Sequence, residues 1–273
     1  MFIIGNGFDL SLGLKTGYNH FIGSSFFQEK LGKGYQLFDH LSSKIIPPAN
    51  WVDIEAELVT YSVEVDNNSS FLSEYKMLCE ALKSYINTID LNSIDEGSEA
   101  FLLFSRFRDS EDLIVLNFNY TNSVNLIISK HLPHVFSYVE TNVFHIHGSV
   151  EIDNIIFGVT DGAGINKQHS FLYKSSSSIY DGKACVEALS SFDNLVIFGH
   201  SLGESDHMYL DFFSDLIYQN TSEKEISIYF HGEESKYSLY TQLQELTNNQ
   251  VYKLKNKTKF KEFDTLRQYA VNQ

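Results

Sequence analysis

Four short clusters place residues capable of chemistry at the ends of apolar runs. The first is Gly5-Asn6-Gly7, with Asp9 and Gly13 close behind, directly after Phe2-Ile3-Ile4. A glycine pair allows a tight turn, and the N–H groups of such a turn can face an anion. Leu10 stands where the third glycine of the usual dinucleotide fingerprint falls, so the loop alone equally describes a plain strand-to-helix turn. Gly13 adds a second glycine turn one loop-length on, and two turns can wrap a diphosphate.

The second cluster is Asn117-Phe118-Asn119-Tyr120-Thr121-Asn122, after Leu113-Ile114-Val115-Leu116. Asparagine and threonine at a strand end can hold a ligand, or turn the chain and cap the next helix. The third is His145-Ile146-His147-Gly148-Ser149-Val150. Alternation puts His145 and His147 on one strand face, a geometry shared by metal ligands and by a lone base working near neutral pH. No third and fourth ligand stand at compatible spacing, so no metal is expected.

The fourth cluster is Gly199-His200-Ser201-Leu202-Gly203-Glu204-Ser205-Asp206. It repeats the first: a buried strand, two glycines, then a helix whose N-cap Ser205 or Asp206 can supply. Gly199-His200-Ser201-Leu202-Gly203 also fits the nucleophile elbow of a hydrolase, with Ser201 as nucleophile. That reading needs an acid and a histidine further along, and His207 is too close while His231 has no distinctive setting.

These clusters need elements to position them. Among the 273 residues, 43% are hydrophobic, enough for a sizeable core. The net charge of −15 repels a nucleic-acid backbone, so nucleic acid is not an expected partner. No run of about eighteen apolar residues suggests a membrane span, and a cytoplasmic location is expected. Cys79 and Cys185 read as two buried thiols.

Apolar runs at 113–116, 143–146, 155–157, 195–198 and 226–230 alternate with helical stretches at 121–132, 205–218, 235–247 and 259–270, with 251–254 as a late strand. Runs of this kind predict an α/β fold, doubly wound around a mainly parallel sheet. Ile54, Leu58, Tyr61 and Val65 fall on one helix face, as do Phe71, Tyr75, Leu78, Leu82 and Tyr85. Residues 1–273 therefore read as a single α/β domain with a helical insert at about 36–110, in which Asn67-Asn68-Ser69-Ser70 and Ile94-Asp95-Glu96-Gly97 are breaks.

In this order the four clusters, together with Trp51-Val52-Asp53-Ile54-Glu55, resemble the AbiH family of bacteriophage abortive-infection proteins over residues 3 to 206. More distantly they resemble sirtuin-like NAD-binding domains. Gly5-Asn6-Gly7 and Gly13-Leu14-Lys15 fall at the spacing of that fold's first loop, with Lys15 in place of a proline. Asn119 stands at its asparagine, Thr121 where an aspartate is usual, His147 at its catalytic histidine, and Gly199 to Leu202 at the segment that holds the cofactor. The zinc-binding cysteines of deacetylating sirtuins are missing, and lysine deacetylation is not expected.

Defence proteins with sirtuin-like domains commonly hydrolyse NAD, so the resemblance implies an antiphage effector that splits NAD into nicotinamide and ADP-ribose. It implies Asn119 and His147 as catalytic residues. Gly5, Asn6, Gly7, Asp9, Gly13, Thr121, Gly199, Ser201 and Asp206 would bind the nucleotide. Trp51, Asp53 and Glu55 would close over the site, contact a partner, or serve as core and a solvated first helical turn. Such an enzyme must be silent until triggered, which implies a homo-oligomer or a complex with a sensor protein. Two alternatives remain: a non-catalytic sensor of NAD or ADP-ribose, and a scaffold that keeps the fold for partner contacts.

Overall fold

The computed structural model describes residues 1–44, 53–65, 68–107, 113–131, 142–178, 180, 182–219 and 223–266. They form two compact units: residues 1–14, 91–147 and 181–273 make the first, and 15–90 and 148–180 the second. Trp51 lies outside the described residues.

The first unit is built on six strands: β1 Phe2–Ile4, β2 Val115–Asn117, β3 Val143–His145, β4 Asn194–Phe198, β5 Glu225–Phe230 and β6 Lys259–Asp264. All pair in parallel, in the order β3-β2-β1-β4-β5-β6. β1 is buried along its whole length, because a central parallel strand is covered on both faces, and only a run such as Phe2-Ile3-Ile4 tolerates that. The Phe2 ring meets Phe104 and Phe107 at centroid distances of 5.3 and 4.8 Å. The helix Glu99–Ser105, capped by Ser98, which accepts the Phe101 N–H at 3.2 Å, thus packs within the sheet unit.

Two runs differ from expectation. Ile155-Ile156-Phe157 forms no strand; it belongs to the second unit, where Ile156 and Phe157 are buried and the Phe157 carbonyl accepts from the Tyr75 hydroxyl. Residues 251–257 are a helix and 259–264 the strand, the reverse of the pattern inferred for 251–270. Val251 and Leu254 are one helical turn apart and both buried, while all six residues of β6 find ladder partners on β5. Burial and pairing decided what a short, mixed run left open.

The second unit is helical around Ile54–Glu64 and Asn68–Ile86. Ile54, Leu58, Tyr61, Phe71, Leu78, Leu82 and Tyr85 are buried on the predicted faces. Asp53 caps its helix by accepting from Ala56 N–H at 3.1 Å, and Glu55 reaches the buried Lys174 ammonium at 3.3 Å in the same unit. Both cysteines are free thiols, and burial pushes each up to about 12. Among the described residues, no helix is long and apolar enough to cross a membrane.

The chain runs outward from β1 through β2 to β3, then returns to the other side of β1 as β4. β1 and β4 therefore flank the switch point of the sheet, where the crevice of an open α/β fold lies beyond the strand ends. Register aligns those ends: Ile4 stands opposite Asn117 and Phe198, and Asn117 opposite His145. Just past them the two glycine loops meet backbone to backbone. A Cβ on Gly5 would sit 2.5 Å from His200 Cα, one on Gly7 2.6 Å from Gly199 Cα, and Gly199 itself has φ +61°. Gly7→Ala should lower stability by about 1–3 kcal/mol, because backbone atoms cannot rotate aside. Gly164→Ala, whose Cβ would meet nothing within 4 Å, should stay within about 0.5 kcal/mol of the parent. Urea unfolding of both variants checks the pair.

Candidate functional site

The loop after β2 is organised by its own side chains. Asn117 Oδ1 accepts the Asn119 N–H at 2.9 Å, and Asn117 Nδ2 donates to the Thr121 carbonyl at 3.4 Å, so one buried amide folds the turn. This throws Asn119 toward β1, where its Nδ2 donates to the Gly5 carbonyl at 3.1 Å. Phe118 points the other way, with its ring centroid 5.2 Å from that of His147 and 4.4 Å from that of His200, both edge-on.

Beneath the first glycine loop lies Asp9, wholly buried. Its Oδ2 accepts from Thr121 Oγ1 and its Oδ1 from Ser123 Oγ, both at 2.6 Å. Hydrogen bonds to a charged acceptor are worth about 1.5–3 kcal/mol each, whereas taking a carboxylate out of water costs several kcal/mol. Desolvation prevails over the lowering effect of Ser123, Thr121 and Asn119, and the Asp9 carboxyl rises to about 6.

At the far side of the loop, Asp206 lies between two imidazoles. Its Oδ1 is 2.9 Å from His147 Nε2, and its Oδ2 is 3.3 Å from His200 Nε2. All three side chains are buried. The Leu202 N–H donates to His200 Nδ1 at 2.9 Å, with Leu202 in the left-handed region at φ +55°. A branched residue in that conformation is strained, and strain of this kind gathers at functional sites. His207 Nε2 holds the Leu202 carbonyl at 3.0 Å.

Asn119, Asp9, Thr121, His147, Gly199 and Asp206 are thus brought to the carboxyl end of β1, β2 and β4, but several roles differ from those inferred. The Gly5, Gly7 and Gly199 N–H groups donate to the carbonyls of Phe198, Gly199 and Tyr229 at 3.1, 2.8 and 3.2 Å, so they face protein acceptors and not an anion. Gly13, at φ +83°, ends the helix Asn6–Ser11: its N–H returns to Leu10 O and that of Leu14 to Asp9 O, each at 3.0 Å. That is a Schellman cap, not a second turn around a diphosphate. Thr121 serves Asp9 instead of capping a helix, and Asp206 serves two histidines instead of a ligand hydroxyl.

Ser201 is exposed, and no hydrogen bond joins it to a histidine among the described residues: His200 and His207 are committed to Leu202, Asp206 and Gln242. The nucleophile elbow is therefore not assembled. His145 ends β3; burial lowers its imidazole below the usual range, against a raising hydrogen bond with the Asn119 backbone. Phe118, Ser123 and His200 were not singled out by their sequence setting. A buried Asp9 in need of donors is the signal that would have drawn in Ser123, and the aromatic between two asparagines the one for Phe118.

A six-stranded parallel sheet in this order, with buried polar groups gathered at its switch point, defines a doubly wound α/β protein of Rossmann-like architecture. The chain belongs to the AbiH family, whose model, described as bacteriophage abortive infection AbiH, matches residues 1–231. That membership supports a role in phage abortive infection. Searches of curated proteins and of solved structures find no match.

Asp9 gives the site a pH dependence with a definite sign. Its carboxyl titrates near 3.8 in the unfolded chain and at about 6 in the folded one. Between those values the folded state holds more protons, so stability falls as pH rises through the window, by about 3 kcal/mol in total. Asp9→Asn should lack this fall. Urea unfolding from pH 4 to 7 should therefore show the parent losing ground to the variant as pH rises, and parallel curves would contradict the assignment.

Proposed function

We propose that this protein is an abortive-infection effector that hydrolyses NAD to nicotinamide and ADP-ribose when activated, acting in the cytoplasm. The observation that carries the reading is the His147–Asp206 pair, 2.9 Å apart, at the end of the sheet where open α/β folds bind nucleotides. An ionised Asp206 accepts the Nε2–H of His147 and so presents Nδ1 as the proton acceptor. Water then attacks ribose C1′. The C1′–nitrogen bond breaks, its electron pair leaves with nicotinamide, and the water proton passes to His147 Nδ1. Asn119, held through Nδ2 by the Gly5 carbonyl, offers its Oδ1 to a ribose hydroxyl or to the attacking water. The resemblance to sirtuin-like domains supports the same two residues.

A second reading, a nucleotide sensor that binds without turnover, is favoured by the engaged N–H groups of Gly5, Gly7 and Gly199, since turnover demands a firm grip on the diphosphate. In either case a second copy of the chain or a sensor protein of the same defence system would supply the trigger. Incubation of activated protein with NAD, followed by chromatography, separates the two: nicotinamide release marks catalysis, and binding by calorimetry without release marks sensing. His147→Ala and Asn119→Ala should each lower the rate of nicotinamide release by about 100-fold or more. Unchanged rates in both variants would remove these residues from the mechanism.

A further inference from the structure

His200 has no assigned part in the reading above, yet it is as buried as His147 and shares the same carboxylate. Its tautomer follows from its partners. The Leu202 backbone N–H can only donate, so His200 Nδ1 must accept, and the ring proton of the neutral imidazole sits on Nε2. That proton faces Asp206 Oδ2 at 3.3 Å, while Oδ1 is left to His147 at 2.9 Å. We propose that His200 is a positioning residue that, held by the Leu202 N–H, fixes the Asp206 carboxylate so that His147 is kept in its Nε2–H tautomer.

The inference rests on His147 being the proton acceptor where turnover is concerned, but the geometry stands apart from the identity of the substrate. A carboxylate gripped through one oxygen has a fixed plane, and its other oxygen then points at one imidazole nitrogen only. Without that grip Asp206 can rotate, and His147 is free to exchange its ring proton between nitrogens. The strained Leu202 is part of the device: its N–H holds His200 and its carbonyl is held by His207 at 3.0 Å. Edge-on packing of Phe118 against both rings restricts their rotation.

Two substitutions dissect the contacts. In His200→Asn the side-chain oxygen falls near the place of Nδ1, keeping the acceptor for Leu202 and losing the donor to Asp206. In His200→Gln the amide nitrogen falls near the place of Nε2, keeping the donor and losing the acceptor. Nitrogen-15 NMR of the imidazoles reads the tautomers directly and needs no substrate. The parent protein should show both His147 and His200 with the proton on Nε2. His200→Asn should give His147 as a mixture of tautomers, and His200→Gln should restore the single one. Nicotinamide release should fall about tenfold in kcat for His200→Asn at unchanged KM, with most of the rate regained in His200→Gln.

A proton on His200 Nδ1 in the parent would overturn the proposal without any variant. So would a single His147 tautomer in His200→Asn with disturbance confined to His200→Gln, which would make His200 a loop anchor only. A tautomer mixture in His200→Asn from a protein that releases no nicotinamide would uphold the positioning role and sink the hydrolase reading.

Discussion

The close approach of two backbone segments at the sheet's switch point is the constraint on which the site depends. Gly5 and Gly7 leave β1 against Gly199 and His200 leaving β4, closer than any Cβ would permit. Three glycines are needed for this, one of them at φ +61°. Once the loops touch, their N–H groups pair with neighbouring carbonyls instead of standing open to solvent. Asn119 ties the β2 loop to the Gly5 carbonyl, and Phe118 from that loop reaches the imidazoles beside β4. The crevice is thus shaped by packed backbone, and its polar side chains inherit fixed directions.

Two buried carboxylates do opposite work around this junction. Asp9 has only hydroxyl and amide donors near it, too few to offset burial, and its carboxyl rises to about 6. It joins the first glycine loop to Thr121 and Ser123, over 112 and 114 residues of chain, and so acts as a structural tie. Asp206 accepts from two imidazoles and so orients them. A carboxylate between two ring nitrogens is a device for holding tautomers, which a purely structural tie does not need.

Much of this was legible in the sequence. Central strands buried on both faces read as plain apolar runs, and β1, β2, β4 and β5 fell where such runs stand. β6 did not, because Lys259-Phe260-Lys261-Glu262-Phe263-Asp264 carries the charges of an edge strand, which mask its period. The site residues were found by their place at strand ends, but their roles were not. Whether Thr121 faces a helix or Asp9, and whether Asp206 faces a ligand or His147, depends on which of two loops more than fifty residues apart in sequence lies opposite. Periodicity carries no information on that.

The central claim is that the loops after β1, β2 and β4 form one nucleotide-binding crevice. Hydrogen–deuterium exchange with and without NAD tests it most directly, because it reports where a ligand sits whether or not it is consumed. The account predicts slower exchange in peptides covering residues 5–13, 117–121 and 199–206, with little change elsewhere. Identical exchange in all three with saturating NAD, or protection confined to other segments, would contradict it.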